Sequence, residues 1–381
     1  MNEQQITQLL REEWSTIEVG PAPVEAVTAS ARLRRSRFAT AGAVGLAAAV
    51  TLAVVLVTGG DDPRTIPPTG TDLPPRSNPV DIAWHDGQTL HLRAVDVPMD
   101  LVLDVAPVQD GGTYGAVVSR LVDDVVEVVH VDAAGEQAVI GTIVTKADVV
   151  GSPRDTVAAW VEGTGADREV VAYDTALAAE IARTPLPADR PELNAVAVDG
   201  GAVYLTDSQG SQVWVPGDGT PTAYDAGEGL LLDVAGGVRL VAARDFRTVS
   251  VGPVGAARTI PGGNGATGLS ADGSFVLPGS PLGVGTMDAS ESPVHRTEDG
   301  EAVSLDLGLE PETAVLDAAL GDGVVVYVIA RDFLLPENPE DPAGYQVFSL
   351  VTCDLGSGTC DTAVADVKAD PSSRSPVLLA R

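Results

Sequence analysis

An all-β fold built from repeated four-stranded units is predicted by three observations. After Val80 the chain breaks into short Val-rich runs separated by Gly and Asp-Gly, the pattern of many short strands rather than helices. Seven tight turns each lead into such a run, and a second set of hairpins recurs between them. The turns lie close to the spacing of four-stranded propeller blades, ~40–50 residues. Residues 80–381 are therefore expected to form a β-propeller of about seven four-stranded blades, with six as the alternative count.

The turns are Asp86-Gly87, Asp110-Gly111, Asp199-Gly200, Gly236-Gly237, Asp272-Gly273 and Asp322-Gly323, each followed by an apolar run. Asp155, ahead of Val157 to Val161, fills the remaining gap without a glycine. Only the first step, Gly87 to Gly111, is markedly short. The second unit is a strand, a polar turn and a returning strand, as in Val128 to Asp132 with Val139 to Val144. It returns as Val170 to Asp174 with Glu180 to Thr184, Gln212 to Val215 with Thr222 to Tyr224, and Phe348 to Cys353 with Cys360 to Val364.

The short first step has a consequence for closure. Val80 to Val105 offers only two or three strands, while Pro376 to Ala380 is an isolated apolar run at the far end. A ring of blades must not leave its first and last members with open edges, so the C-terminal run is expected to join the first blade.

Tyr173-Asp174-Thr175 leading to Glu180-Ile181-Ala182-Arg183, and Ser270-Ala271-Asp272-Gly273, resemble the outer hairpin and inner turn of bacterial WD40-like and quinoprotein-like β-propellers. The likeness spans the whole strand-rich region, although no Trp-Asp dipeptide occurs in it.

Ahead of the strands lies Phe38 to Thr58, an uncharged run of Ala, Val, Leu, Gly and Thr. As a helix it would reach about 31 Å against a hydrocarbon core of about 30 Å, which predicts a single transmembrane helix over 38–58. The basic cluster Arg32, Arg34, Arg35 and Arg37 precedes it, and Asp61 and Asp62 follow, so residues 1–37 are expected in the cytoplasm and the strand-rich domain outside. A cleaved signal is disfavoured because Val57, Thr58, Gly59 and Gly60 make a poor cleavage site, and no cysteine lies near the run for lipid attachment. Ala41, Gly45, Ala49 and Ala53 form a small-xxx-small face that would permit helix pairing.

The tail carries Ile6, Leu9, Leu10, Trp14 and Ile17 at helical spacing, which suits either a docking helix for a cytoplasmic partner or a segment lying on the bilayer. Residues 59–79 hold six prolines and few apolar residues, so they are expected to run as an extended stalk of roughly 60 Å. The layout of tail, basic cluster, span, Pro-rich stalk and outside propeller resembles single-pass membrane proteins of high-G+C Gram-positive bacteria, some of them suspected regulators acting across the membrane.

The 381 residues are 44% hydrophobic but only 4% aromatic, so Val, Ala and Leu must fill the core. Five acids and five bases precede the span and cancel, which leaves the whole net charge of −31 on the outer part. Such a surface repels phosphate backbones, and nucleic acid is not an expected partner.

Cys353 and Cys360 flank a turn-rich loop between two strands, and outside the cytoplasm a disulfide across that hairpin is expected. Gly263-Asn264-Gly265-Ala266-Thr267-Gly268 matches a dinucleotide fingerprint but is not followed by a helix, so it is read as a loop between blades. No Gly-x-Ser-x-Gly elbow occurs. His85, His91, His130 and His295 are scattered, and the acidic loop Pro336 to Pro342 reads as a solvated insertion rather than a calcium site. No catalytic, cofactor or metal residue is expected.

The function expected is a membrane-anchored, extracytoplasmic binding or scaffold module for a protein, envelope or small-molecule partner. One alternative is a transmembrane, anti-sigma-like regulator whose tail binds a cytoplasmic partner, although the zinc-binding His and Cys pattern of many such tails is missing from residues 1–37. The other is a propeller hydrolase or lyase.

Overall fold

The computed structural model describes residues 78–380 apart from 145–147, 245–246, 263, 281–293, 309–312, 335–343 and 369–376. The expected tail, span with its arginine cluster, most of the stalk and the acidic loop lie outside these residues. Among the described residues no helix is long and apolar enough to cross a membrane.

The strands form seven antiparallel sheets, taken in chain order as the seven blades of a propeller. The first blade holds β1 (Trp84–His85), β2 (Thr89–His91) and β3 (Asp96–Pro98). The second holds β4 (Val102–Asp110), β5 (Thr113–Val122), β6 (Val125–Val131) and β7 (Gln137–Ile143). The third is β8 (Val149–Val150), β9 (Val157–Glu162), β10 (Glu169–Asp174) and β11 (Ala179–Pro185). The fourth is β12 (Asn194–Asp199), β13 (Ala202–Asp207), β14 (Gly210–Trp214) and β15 (Thr222–Tyr224). The fifth is β16 (Leu230–Ala235), β17 (Val238–Ala242), β18 (Thr248–Gly252) and β19 (Arg258–Pro261). The sixth has β20 (Asn264–Leu269), β21 (Phe275–Ser280) and β22 (His295–Arg296), and the seventh β23 (Ala314–Leu320), β24 (Val324–Leu334), β25 (Gly344–Asp354) and β26 (Cys360–Lys368).

Closure occurs as the sequence predicts. The last strand, β27 (Leu378–Leu379), pairs antiparallel with β1, setting Trp84 opposite Leu379 and His85 opposite Leu378. The Ala380 N–H then donates to the Ala83 carbonyl at 2.9 Å. The C-terminus thereby completes the first blade as a fourth strand.

Seven hydrophobic clusters lie between successive blades and form a cycle. One joins the first and second blades through Leu90, Val97, Val105 and Val118. The others follow around the ring to the last, where Val377 and Leu379 pack with Trp84, Val328, Phe348 and Leu350 between the seventh blade and the first. Val, Ala and Leu dominate these clusters, while Trp160 and Trp214 are among the largest fully buried side chains.

Neighbouring turns also tile closely. Gly236 and Gly273 hold φ of 56° and 72°, a region that favours glycine. A Cβ at Gly273 would stand 2.5 Å from the Ala235 carbonyl oxygen, and one at Gly236 would run into the Asp272 carbonyl oxygen. The two turns therefore fit against each other only without side chains.

Three expectations need correction. The stalk does not extend to residue 79: Asn78 is 1% exposed and belongs to the first blade. Its amide donates to the Ile82 carbonyl at 2.8 Å, and its Oδ1 accepts from Val80 N–H at 3.1 Å and from Trp84 Nε1–H at 3.0 Å. Composition hid this because one buried asparagine sits beside a run of prolines. Second, the stretch read as a blade-to-blade loop is a strand from Asn264 onward, paired with β21 across an irregularity between Asn264 and Thr267.

Third, the sixth blade has three strands rather than four among the described residues. The chain returns beside β22 through a single bridge, His295 to Ala302. Backbone bonds from Arg296 to Glu301 and from Val303 to Val294 hold that return.

Candidate functional site

The first strand of each later blade runs toward one end of the central channel, where it turns back into the second. At that end lies a cavity of about 400 Å³ to which all seven blades contribute. Its wall includes Ala83 and Ala380 of the first blade, Gln109 of the second, Ser152 of the third, Val198 of the fourth, Asp233 of the fifth, Leu269 of the sixth and Leu320 of the seventh. The volume falls in the range of ligand pockets, about 300–1,000 Å³.

Turn carboxylates next to wall residues Arg154 and Val198 tie the blades together. Asp155 accepts from Val157 N–H at 3.0 Å within its own blade and from Gly201 N–H at 2.5 Å in the next. Asp199 in turn accepts from Gly236 N–H and Gly237 N–H, both at 3.0 Å. Each aspartate thus satisfies backbone donors of the following turn and ties two blades together. Asp155 makes this link although no glycine follows it.

Deeper, bulges in the inner strands aim further carboxylates at neighbouring backbone. A register shift between Leu231 and Asp233 places Asp233 so that it accepts from Val234 N–H and from Leu269 N–H of the sixth blade, each at 2.7 Å. Burial pushes the Asp233 carboxyl up to about 6, although both hydrogen bonds favour its charged form and Asp199 nearby adds a smaller upward push. Asp104 follows a matching shift after Val102 and accepts from Val105 N–H at 3.0 Å and Val149 N–H at 2.9 Å.

Two arginines also line the cavity. Arg154, from the turn without a glycine, reaches from the third blade to Asp322 of the seventh at 3.5 Å and to Asp272 of the sixth at 4.0 Å. Arg93, between β2 and β3, is half-buried and makes no ion pair among the described residues.

None of the four histidines lines this cavity. His85 is buried; Gly87 N–H donates to its Nδ1 at 3.1 Å, so its Nε2–H donates to the Met99 carbonyl at 2.7 Å. Burial lowers its pKa and favours the neutral ring. His91 stacks on Trp84 with ring centroids 3.9 Å apart, and its two nitrogens meet Asp96 at 2.8 Å and Asp86 at 3.4 Å. Burial opposes its charge, but the two carboxylates outweigh burial and raise its pKa. Asp86 falls to about 2 against its own burial, through bonds from His91 and from the Gln88 and Thr89 N–H groups.

His130 is buried beside Tyr173, and His295 Nδ1 meets the Gly300 carbonyl at 3.0 Å. Among the described residues no group of three or more His, Cys, Asp or Glu side chains is placed to hold a metal ion.

Cys353 and Cys360 form the expected disulfide, with an S–S distance of 2.09 Å, between directly opposed residues of β25 and β26. It lies in the outer hairpin of the seventh blade, away from the cavity wall.

Sequence reasoning missed Arg93, Arg154 and the half-buried aspartates of the inner strands. A signal for the last was present: Leu-Asp-Val-Ala occurs at 103–106 and 232–235, and Leu-Asp-Ala-Ala at 316–319. A carboxylate recurring inside apolar strands marks a fixed backbone partner. For Arg154 the signal was the one turn that departs from the repeat, since departures from a local rule collect at functional or strained sites.

No protein-family model matches the chain. No curated protein matches it either. Solved structures with similar folds include the tricorn protease (12% identity, TM-score 0.39, 70% of this chain and 30% of that one). Another is the dihydro-heme d1 dehydrogenase NirN in complex with DHE (14% identity, TM-score 0.46, 78% and 76%). A third is the Pyrococcus horikoshii acylaminoacyl peptidase (10% identity, TM-score 0.47, 72% and 47%). The chain spans less than half the length of the tricorn protease and of the peptidase. At this level of likeness none carries an argument about activity.

Proposed function

We propose that this chain is a binding module whose small-molecule ligand occupies the channel mouth, and that the single span over 38–58 tethers it outside the cell. The cavity carries the binding reading: all seven blades build it, turns adjoining it are tied by inter-blade hydrogen bonds, and two guanidinium groups line it. A site fixed by so many elements is pre-organised, which reduces the ordering cost of binding. The Cys353–Cys360 disulfide supports an oxidising compartment and hence the outside placement.

Gln109 provides the test because it lines the cavity while its side chain is exposed. Gln109→Trp should fill the mouth without disturbing a core cluster. Ligand-observed NMR of the full chain against a fragment panel of acids, amines, zwitterions and sugars should show hits that the variant loses. Hits equal in both proteins, or none in either, would reject the channel mouth as the binding site.

A further inference from the structure

The charges around the cavity do not cancel locally. The acids on its wall are Asp81, Asp233 and Asp322. Asp81 has a partner of its own, Asp233 is satisfied by two backbone donors, and Asp322 faces Arg154. Arg93 makes no ion pair among the described residues, although the chain as a whole carries −31. Arg154, by contrast, is one guanidinium shared between two carboxylates, Asp322 and Asp272, which leaves an excess negative charge there.

A guanidinium without an ion pair and a carboxylate that shares its guanidinium thus border one small cavity. Its complement is a molecule with an anion at one end and a cation at the other. A guanidinium offers a planar fork of N–H donors that fits a carboxylate. A multiply charged anion would meet Asp322, Asp233 and the acidic surface at a penalty, whereas a zwitterion would not.

We propose that the channel mouth binds a small zwitterion of the amino-acid or short-peptide class, its carboxylate on Arg93 and its ammonium against Asp322. This rests on the binding role proposed above. Arg154 stays between the two aspartates and limits how much positive charge that side accepts, so a ligand with a single ammonium suits it better than a polyamine.

The test is calorimetric titration of the full chain with the twenty free amino acids and alanyl-alanine, followed by N-acetyl and amide derivatives of whichever binds. At least one zwitterion should bind, and both derivatives should bind more weakly. Arg93→Gln should weaken binding about 10- to 100-fold, the range for loss of a charged hydrogen-bond partner. Arg93→Lys, which keeps the charge without the fork, should lose less, and Asp322→Asn should weaken the zwitterion but not its amine-blocked form. Unchanged thermal melting of each variant would separate loss of binding from loss of fold.

The proposal fails if no zwitterion binds, or if binding survives Arg93→Gln unchanged. Should amines or neutral sugars bind in a way that Gln109→Trp abolishes and Arg93→Gln does not, the zwitterion assignment falls while the channel-mouth reading stands.

Discussion

Truncation after residue 376 removes the strand that closes the ring, and its cost can be worked from the structure. Val377 and Leu379 are 5% and 4% exposed in the cluster between the seventh and first blades. Burial of such side chains is worth about 1.5–3 kcal/mol each, so the pair contributes about 3–6 kcal/mol. The truncation also removes the Ala380 N–H bond to Ala83 and leaves β1 as an open edge. Against a typical stability of about 5–15 kcal/mol this is a large fraction.

The full chain and the truncated form should therefore differ clearly in denaturant midpoint, and light scattering should report association of the truncated form through its free edge. Leu379→Ala alone should cost about 2–5 kcal/mol. Equal midpoints for the full and truncated chains would mean that the C-terminal strand does not close the ring, and the cyclic core would have to be abandoned.

Other consequences follow from single residues. Asn78→Ala should cost about 2–4 kcal/mol, because Trp84 Nε1–H and the Val80 N–H lose a buried acceptor; a chemical denaturation curve matching wild type would show the Asn78 bonds to be dispensable. Replacing Cys353 and Cys360 by serine should cost about 2–3 kcal/mol, modest because the closed loop is short at a separation of 7 residues. A denaturant midpoint unmoved by the double substitution would contradict this. Asp233 is raised from 3.8 to about 6 in the fold, so its contribution is present below pH ~4 and is lost as pH rises through 6. The stability advantage of wild type over Asp233→Asn should therefore shrink between pH 4 and pH 7, and an advantage that grows over this range would reverse the assigned shift.

How far the fold was legible depended on local chemistry. Turn positions from Asp86-Gly87 to Asp322-Gly323 could be read because positive φ and tight reversals demand particular residues. Closure could be read because Val377 to Ala380 formed an apolar run with no local partner. The sixth blade could not, since its return at Ala302 is one bridge supported by backbone bonds rather than by a strand of apolar residues.

The mouth was the least legible part. Arg93 and Arg154 lie in polar turns whose sequence looks like any solvated loop, and only the ring brings residue 154 beside residues 272 and 322. Asp233 was visible as a charge within Leu230 to Ala235, but its partner, the Leu269 N–H, belongs to the next blade. Non-local pairing of this kind leaves a mark on one partner and none on the other.

The most direct measurement is a crystal structure of the full chain in detergent, grown with the zwitterion that titrates most tightly. Its carboxylate should lie within hydrogen-bonding distance of the Arg93 guanidinium and its ammonium beside Asp322, inside the cavity rimmed by Gln109 and Ser152. A ligand seated on the outer strands, or one in the channel with its carboxylate turned away from Arg93, would contradict the account.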